Sequence, residues 1–411
     1  MNSLIAHSEN YMDNLNTPQN NNLLFWISYF MAFPAFTIFG TQVGMLLLLI
    51  FFLYNNNYIT NFKFDLSTLF SISFMAASII SVLDSNESKT DDLSLTVLPN
   101  YLMWGLTIMF LPHLLKRMNL YPVYKGISIG IITLLICNLF NDQIKSLLPF
   151  LRFPVDNGYA FMLISFAPIT FYYLNSRNKI AFYLFAFIAV FSLIILERRA
   201  GFVIISAQFL LFHYIGKVSI KRIIQLTFIT FLSVSILISG AFESFIFSNS
   251  NRLYSLLYEY NDTKLLDQSA LTREAMVEKG LIIFSEHPLT GIGLNNFMNY
   301  DVEMPLEFEG GEILMNKDLS KKSAHNSYIV LLSGGGLLLF VPVVIFFVFI
   351  IIRLSKKITD KRELAKPIFL GFVGMCLHLY YISTIVNIFT WFFISTAYIV
   401  ASHKELNYQK V

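Results

Sequence analysis

Charge is the property that this chain has least of. Only 13% of its 411 residues are Asp, Glu, Lys or Arg, whereas soluble globular proteins average about 25%. Hydrophobic residues make up 55% of the chain, and the mean hydropathy is +0.61. Apolar runs of roughly 18 residues or more recur along it, and they are continuous rather than alternating, which predicts transmembrane helices. The composition therefore excludes an ordinary soluble domain.

Disulfides, metal clusters and nucleotide-binding motifs are also lacking. The two cysteines, Cys137 and Cys376, both lie within apolar runs and are interpreted as small buried hydrophobic residues. The seven histidines show no close ligand spacing. The sequence contains no Walker loop, no dinucleotide fingerprint and no G-x-S-x-G elbow. We therefore expect no metal, no cofactor and no nucleic-acid partner.

The apolar runs predict an all-α polytopic membrane protein with about twelve transmembrane helices. An N-terminal bundle of about nine helices would occupy residues 1–247. One large extracytoplasmic loop would follow over 248–326, and C-terminal helices with a cytoplasmic tail over 327–411. The first 21 residues hold no Lys or Arg and no signal-peptide pattern, so we expect the first helix to target the chain. The predicted spans are 22–38, 40–54, 67–83, 98–115, 121–140, 158–174, 180–196, 201–215, 223–247, 327–352, 367–384 and 386–402.

Loop charge predicts the orientation of these helices. Basic residues fall in alternate loops, which the positive-inside rule places in the cytoplasm. The intervening loops, 84–92, 141–157 and 248–326, are acidic or mixed and would lie outside. The even number of predicted helices agrees with this orientation, because it places both termini on the same side, the cytoplasmic one. The basic positions are Lys116, Arg117, Arg177, Lys179, Lys217, Lys221, Arg222 and those from Arg353 to Lys366.

Three ionisable residues are predicted to share the outer face. Arg199 stands at a tight turn between the seventh and eighth predicted helices, while Arg273 and His325 lie in the long loop. Within that loop, 271–284 is helix-like, and 297–322 is acidic and resembles a surface lid. Ionisable groups at a membrane face are costly to hold there, so the three are candidates for a functional site.

Two interpretations of these residues stay open. Arg198 and Arg199 can snorkel to lipid headgroups, or a guanidinium can bind a pyrophosphate in a bidentate fork. His325 can act as a general base, or it can be an interfacial histidine satisfied by backbone, with Asn326 and Ser327 capping the following helix. The segment from His287 to Gly293 is predicted to form a rigid turn, since it holds a proline and two glycines.

Taken together, these segments resemble the O-antigen ligase and polymerase family of bacterial envelope glycosyltransferases, the Wzy and WaaL group. The resemblance is sharpest over residues 195–340. Gly336 keeps the family's glycine spacing, whereas Leu339 replaces its second glycine, so helix packing there is expected to differ. The motifs that carry the resemblance are Arg199-Ala200-Gly201, Arg273 followed by His287-Pro288-Leu289-Thr290-Gly291-Ile292-Gly293, and His325-Asn326-Ser327-Tyr328.

The resemblance implies a GT-C-like fold and a metal-independent, inverting transfer of glycan from an undecaprenyl-pyrophosphate-linked donor. His325 would be the general base for the acceptor hydroxyl, and Arg199 and Arg273 would hold the donor pyrophosphate. Arg152, Arg198 and Arg252 are second-rank candidates for the same anion site. The transfer would take place on the outer (periplasmic) face of the bacterial cytoplasmic membrane.

Three functions compete at this point. The leading prediction is a polymerase that joins lipid-linked repeat units of O-antigen, capsule or exopolysaccharide. The close alternative is a ligase that moves glycan onto the lipid A core of lipopolysaccharide. A polysaccharide transporter or flippase fits the helix count, but transporters usually have two related halves. Besides the undecaprenyl-pyrophosphate-linked oligosaccharide, the expected partners are membrane lipids, with a chain-length regulator and a flippase as further candidates.

Overall fold

The computed structural model describes residues 17–35, 37–38, 41–55, 64–84, 94–148, 154, 157–196, 198–214, 268–302, 323–359, 364–383, 385 and 387–403. These residues are mainly helical, apart from two short antiparallel strands, β1 (Thr37–Ile38) and β2 (Thr41–Gln42). The helices are α1 (Pro18–Ala32), α2 (Val43–Tyr54), α3 (Leu66–Asp84), α4 (Ser94–Leu115), α5 (Tyr121–Leu139), α6 (Asn141–Leu147), α7 (Asn157–Asn175), α8 (Lys179–Ile195), α9 (Arg199–Tyr214), α10 (Gln268–Glu286), α11 (Ser327–Thr359), α12 (Ala365–His378) and α13 (Ile388–Ser402).

Short polar side chains fix where several helices begin. The Oδ1 atom of Asn178 accepts from the backbone N–H of Ile180 at 2.9 Å and so caps α8. Thr17 caps α1 in the same way, and the Asp65 carboxylate accepts from the first turn of α3. These oxygens satisfy N–H groups that have no partner within the helix, which is why such residues favour helix N-termini.

Four described helices are long and apolar enough to cross a membrane: 66–84, 95–115, 121–139 and 327–358. Five further apolar helices in the described ranges are shorter, between 10 and 17 residues. The fold is therefore that of a helical, membrane-embedded protein. The predicted number of twelve spans stays a prediction, and the predicted span 223–247 lies outside the described residues.

Several predicted helix ends differ from the structure: α4 begins at Ser94 rather than at 98, and α11 ends at Thr359 rather than at 352. The first helix ends at Ala32 rather than at 38, because Phe33 precedes Pro34 and a residue before proline disfavours the helical conformation. In the predicted span 367–384 the helix ends at His378, and the described residues between it and Ile388, the first residue of α13, are not helical. The helix predicted over 271–284 is confirmed as part of α10.

An aromatic cluster around Trp391 forms the centre of the bundle. The Trp391 ring of α13 stacks on Trp104 of α4 with centroids 5.8 Å apart, and it packs at 4.8 Å against Phe74 of α3. The indole N–H donates to the Ile385 carbonyl at 2.6 Å. Such rings bury large apolar areas while their polar atoms stay bonded. This cluster holds α3, α4 and α13 together, and α11 joins it through Phe346 against Phe70.

The bundle has two chemically different ends. At one end, α11 begins at Ser327 and α12 ends at His378, and we call this end the site end. The opposite end is where α12 begins and α13 finishes. There, Asp65 accepts from the Tyr398 hydroxyl at 3.2 Å, and the Lys357 ammonium donates to the carbonyls of Val400 and His403.

Candidate functional site

Helix α11 is broken near its start, and the segment 287–293 fills the break. Gly336 has φ 58° and ψ −159°, which no helix contains. The break frees backbone groups on both sides of it. The Ser333 carbonyl accepts from the N–H of Ile292 at 2.9 Å, and the N–H of Leu337 donates to the Pro288 carbonyl at 2.9 Å. A broken apolar helix is tolerated where other protein groups satisfy its backbone in this way.

Glycine is required at two positions of this junction. Gly291 and Gly336 both have positive φ, at 68° and 58°, a region that other residues enter at a cost. A Cβ atom on Gly336 would collide with the Leu289 carbonyl, and one on Gly291 would collide with the backbone of Ser333. The glycines that carried the family resemblance therefore let two backbones meet without side chains between them.

Helix α10 packs along the start of α11 over a small apolar cluster of its own. Gly280 lies directly against Ile329, so no side chain fits between the two helices there. Behind this contact, the His287 ring bonds the Tyr300 hydroxyl at 3.1 Å, and that hydroxyl donates to Glu286 at 2.9 Å. These bonds hold the His287 ring in place at the start of the turn. The cluster consists of Ala275, Met276, Ile283, Ile292, Phe297, Ala324 and Ile329.

The residues around His325 combine a helix cap with a strained backbone. Asn326 caps α11, because its Oδ1 accepts from the N–H groups of Tyr328 at 3.0 Å and Ile329 at 3.2 Å. The capping interpretation therefore holds for Asn326 but not for Ser327, whose hydroxyl donates to the Ile382 carbonyl instead. His325 itself is exposed and has φ 45°, in the left-handed region. A non-glycine residue held there costs on the order of 1–3 kcal/mol, and such residues cluster at functional sites.

The start of α11 is docked on the end of α12. The Ser327 N–H donates to the Leu379 carbonyl at 2.8 Å, and the Ser327 hydroxyl donates to the Ile382 carbonyl at 2.5 Å. The Tyr328 hydroxyl donates to the Cys376 carbonyl at 2.8 Å. The two residues that follow His325 and Asn326 are therefore fixed to segment 376–382.

Arg273 approaches the same segment from α10. Its guanidinium is near enough to His378, the last residue of α12, for their charges to interact. The His378 ring packs with Phe161 of α7, with centroids 6.0 Å apart. The structure therefore brings Arg273 and the backbone next to His325 to one short segment, 376–382, although they come from different parts of the sequence.

The arginine turn before α9 lies beside the same part of α7. Arg198 donates from Nη1 to Asn157 Oδ1 at 3.3 Å, at the first residue of α7. Gly201 approaches Ala160 so closely that a Cβ on the glycine would lie 3.1 Å from the alanine Cβ. The turn is thus adjacent to Phe161, which contacts His378. Arg199 begins α9, but its side chain lies outside the described part of the chain, as do Arg152 and Arg252.

The sequence analysis missed two ionisable residues near this site. Lys279 of α10 is buried, with its ammonium 5.0 Å from the centre of the Phe297 ring. Burial lowers the pKa of Lys279 to about 8, while nearby Asp301 opposes that shift. His378 is also buried. Its position inside a predicted membrane span was an available signal, since ionisable residues in such spans are rare.

These features define a membrane-embedded helical protein with a cationic, histidine-containing site at one end of its bundle. Residues 159–344 match the family model described as O-antigen ligase (Wzy_C). The matched range includes the arginine turn, Arg273, the 287–293 segment, His325 and the break in α11. This match supports an assignment of the chain to the O-antigen ligase and polymerase family, whose members are glycosyltransferase-like enzymes. No curated protein matches the chain significantly.

Proposed function

We propose that this protein transfers glycan from an undecaprenyl-pyrophosphate-linked donor to a sugar hydroxyl, and that it polymerises O-antigen, capsule or exopolysaccharide repeat units. The observation that supports the proposal most is the convergence at segment 376–382. The start of α11 is docked on this segment, Arg273 lies within range of a charge interaction with His378 at its centre, and α7 links the segment to the arginine turn. This arrangement puts cations and an imidazole at one end of a membrane bundle, where a lipid-linked donor can reach both.

In the proposed reaction, the neutral imidazole of His325 takes the proton of the acceptor hydroxyl. The hydroxyl oxygen attacks the anomeric carbon, the bond from that carbon to the pyrophosphate oxygen breaks, and the leaving pyrophosphate keeps the electron pair. Attack from the opposite face inverts the anomeric centre. Arg273 and Arg199 would bind the pyrophosphate and offset its developing charge, with Arg198, Arg152 and Arg252 as supporting candidates.

Two observations at His325 favour its role as base. The imidazole is exposed at the site end, where an acceptor hydroxyl can approach it. The helix start beside it is already capped by Asn326, so capping does not account for the presence of a histidine. The strained backbone of His325 is consistent with a residue kept for its chemistry rather than for stability.

The ligase reaction uses the same chemistry with a lipid A core as acceptor, and it is the second candidate. A flippase is less consistent with the structure, because Arg198 and Arg273 lie at the site end of the bundle rather than at its middle, where transporter sites lie.

The experiment is a glycan gel profile of a strain that lacks the gene, complemented with the wild-type protein or with His325→Ala. Polymerase function predicts single repeat units on the lipid A core and no ladder in the deletion strain and in the variant. Ligase function predicts long chains on undecaprenyl pyrophosphate and none on lipid A. An unchanged profile in the deletion strain would reject both functions for that glycan.

A further inference from the structure

His378 is a buried histidine at the site end to which the proposed reaction gives no role, and which lies beyond the residues matched by the family model. Only 3% of its surface is exposed. It ends α12, packs against Phe161, and lies 6.4 Å from the Tyr381 ring, centre to centre. Its own carbonyl accepts from the Tyr381 N–H at 2.8 Å, which fixes the backbone after the helix.

The Nδ1 atom of His378 is buried and has no hydrogen-bond partner among the described residues. A buried polar atom without a partner is unfavourable, and few occur in native proteins. A histidine kept only for its shape would be replaced at lower cost by an apolar residue of similar size. The orphaned nitrogen therefore indicates that a partner reaches it in another state of the site.

Arg273 is the group best placed to be that partner. Its guanidinium is near enough to His378 for their charges to interact. Arginine carries five N–H donors, accepts no hydrogen bond and stays charged. A permanent cation beside the imidazole favours the neutral ring, and a neutral ring has one nitrogen that can accept. The donor and the acceptor are thus chemically matched.

We propose that His378 is a positioning residue for Arg273: its Nδ1 atom accepts a hydrogen bond from the guanidinium when the guanidinium binds a pyrophosphate at the site end. The proposal rests on the proposed function, because it takes the pyrophosphate as the ligand of Arg273. With one N–H held by the imidazole, the remaining donors of the fork face the anion in a fixed orientation. Ser327 and Tyr328 are bonded to the same segment, so they hold the backbone of His325 at a fixed position relative to His378 and Arg273.

The test is a double-mutant cycle on the full-length protein in detergent. The measured quantity is the dissociation constant for undecaprenyl pyrophosphate without glycan, titrated by native mass spectrometry. His378→Leu keeps the volume and removes the acceptor, and it should weaken binding about 10-fold, the loss expected for one hydrogen bond to a charged group. His378→Asn should bind within about threefold of wild type, because its Oδ1 stands two bonds from Cβ, as Nδ1 does.

The Arg273→Ala background separates positioning from packing. If His378 acts through Arg273, His378→Leu should change the affinity less than about twofold in that background. The matched control is His213→Leu, since His213 also ends an apolar helix and packs on aromatic rings, with Phe182 at 5.2 Å. It lies at the opposite end of the bundle, near the start of α12, so its replacement should leave the affinity unchanged.

Every other outcome overturns the proposal. The outcomes that reject only the role of His378 can be distinguished from the one that also rejects the proposed function. If wild type binds and Arg273→Ala does not, but His378→Leu binds as wild type, only the role of His378 is rejected. The same holds if His378→Leu and His378→Asn lose affinity equally, or if the loss persists without Arg273. If wild type itself fails to bind undecaprenyl pyrophosphate, the proposed function and the role of His378 fall together.

Discussion

His325 combines an exposed imidazole with a left-handed backbone, and the two properties can be separated by substitution. His325→Ala removes the proposed base, so glycan transfer should fall by about 10²–10⁴-fold, the range for general-base catalysis. The amount of protein in the membrane should stay near the wild-type level, because Asn326 still caps α11. Transfer is measured from the glycan ladder, and abundance by immunoblotting of membranes.

His325→Gly is the matched control for the strained backbone. Glycine adopts φ 45° without a steric cost, so this variant should unfold at a temperature equal to or above that of His325→Ala, while being equally inactive. A fully active glycine variant would reject the imidazole as the base. A large loss of abundance in both variants would mean that the histidine serves the fold.

The guanidinium fork at Arg273 gives a second prediction at the residue scale. Arg273→Lys keeps the charge but cannot bind a phosphate in two places, so transfer should fall at least about 10-fold, the value of one lost charged hydrogen bond. The same loss is expected for Arg199→Lys. Arg353→Lys is the control, since Arg353 lies beyond the site in the last turns of α11 and its guanidinium packs over Phe349. Wild-type activity of Arg273→Lys would argue against bidentate binding.

The candidates Arg273, His325 and Asn326 could be selected from the sequence, because they belong to motifs with fixed neighbours, and their roles in the site stay predictions. His378 could not be connected with Arg273 in that way, because 105 positions separate the two residues in the sequence. Their proximity depends on how α10, α11 and α12 pack. The strain at His325 was equally hidden, since it arises where the chain turns before Ser327 bonds to Leu379.

At the scale of elements, the glycine run of α11 offers a matched pair of substitutions. Gly336→Ala places a Cβ against the Leu289 carbonyl at a positive φ, whereas a Cβ on Gly334 would have its nearest neighbour at 3.4 Å. Gly336→Ala should therefore destabilise the protein by about 1–3 kcal/mol or more, and Gly334→Ala by much less. The check is the thermal unfolding midpoint in detergent. Equal midpoints would show that segment 287–293 does not fill the break.

The buried lysine of α10 predicts a pH-dependent stability. The pKa of Lys279 is lowered by burial to about 8, below its ordinary value in the unfolded chain. Below pH 8 both states are protonated and the cost of burying the charge is fully present. Between pH 8 and about 10.4 the folded state releases the proton first, so stability should rise with pH.

Lys279→Met removes this cost and should stabilise the protein by about 1–3 kcal/mol at pH 7, with the difference shrinking by pH 10. The measurement is the unfolding midpoint at several pH values. Lys356→Met is the control, because Lys356 is exposed at the opposite end. A Lys279→Met variant that is less stable at pH 7 would show that the contacts of the ammonium outweigh its desolvation.

At this scale, the break in α11 is a feature that could not be predicted from the sequence. The apolar run predicted one continuous helix over 327–352, and its glycines predicted only a change in helix packing, whereas the structure has a break at Gly336. The break is stabilised by Pro288 and Ile292, whose backbone groups replace the lost helical bonds. Ile292 and Pro288 lie 41 and 49 positions upstream of their partners Ser333 and Leu337, and no local pattern reveals such pairing.

At the scale of the whole molecule, basic residues that are scattered in the sequence gather at the opposite end of the bundle. Arg177 lies 4.8 Å from the Tyr173 ring centre, Lys366 lies 4.8 Å from that of Phe212, and Lys357 bonds the end of α13. The positive-inside rule therefore predicts that this end lies in the cytoplasm and the site end outside. Burial also lowers the pKa of His403 there to about 4, helped by Lys116 and Lys357, so this histidine adds no charge at neutral pH.

Single cysteines at exposed positions test this orientation. Ser285 lies near the end of α10 at the site end, and Lys356 lies near the end of α11 at the opposite end; both side chains face solvent. Ser285→Cys should react in intact cells with a maleimide that cannot cross membranes, whereas Lys356→Cys should react only after the membrane is opened. The unmodified protein supplies the background, since Cys137 and Cys376 lie within apolar helices. The reverse pattern would put the site end in the cytoplasm, where a donor already carried to the outer face could not reach Arg273, and the proposed reaction would have to be abandoned.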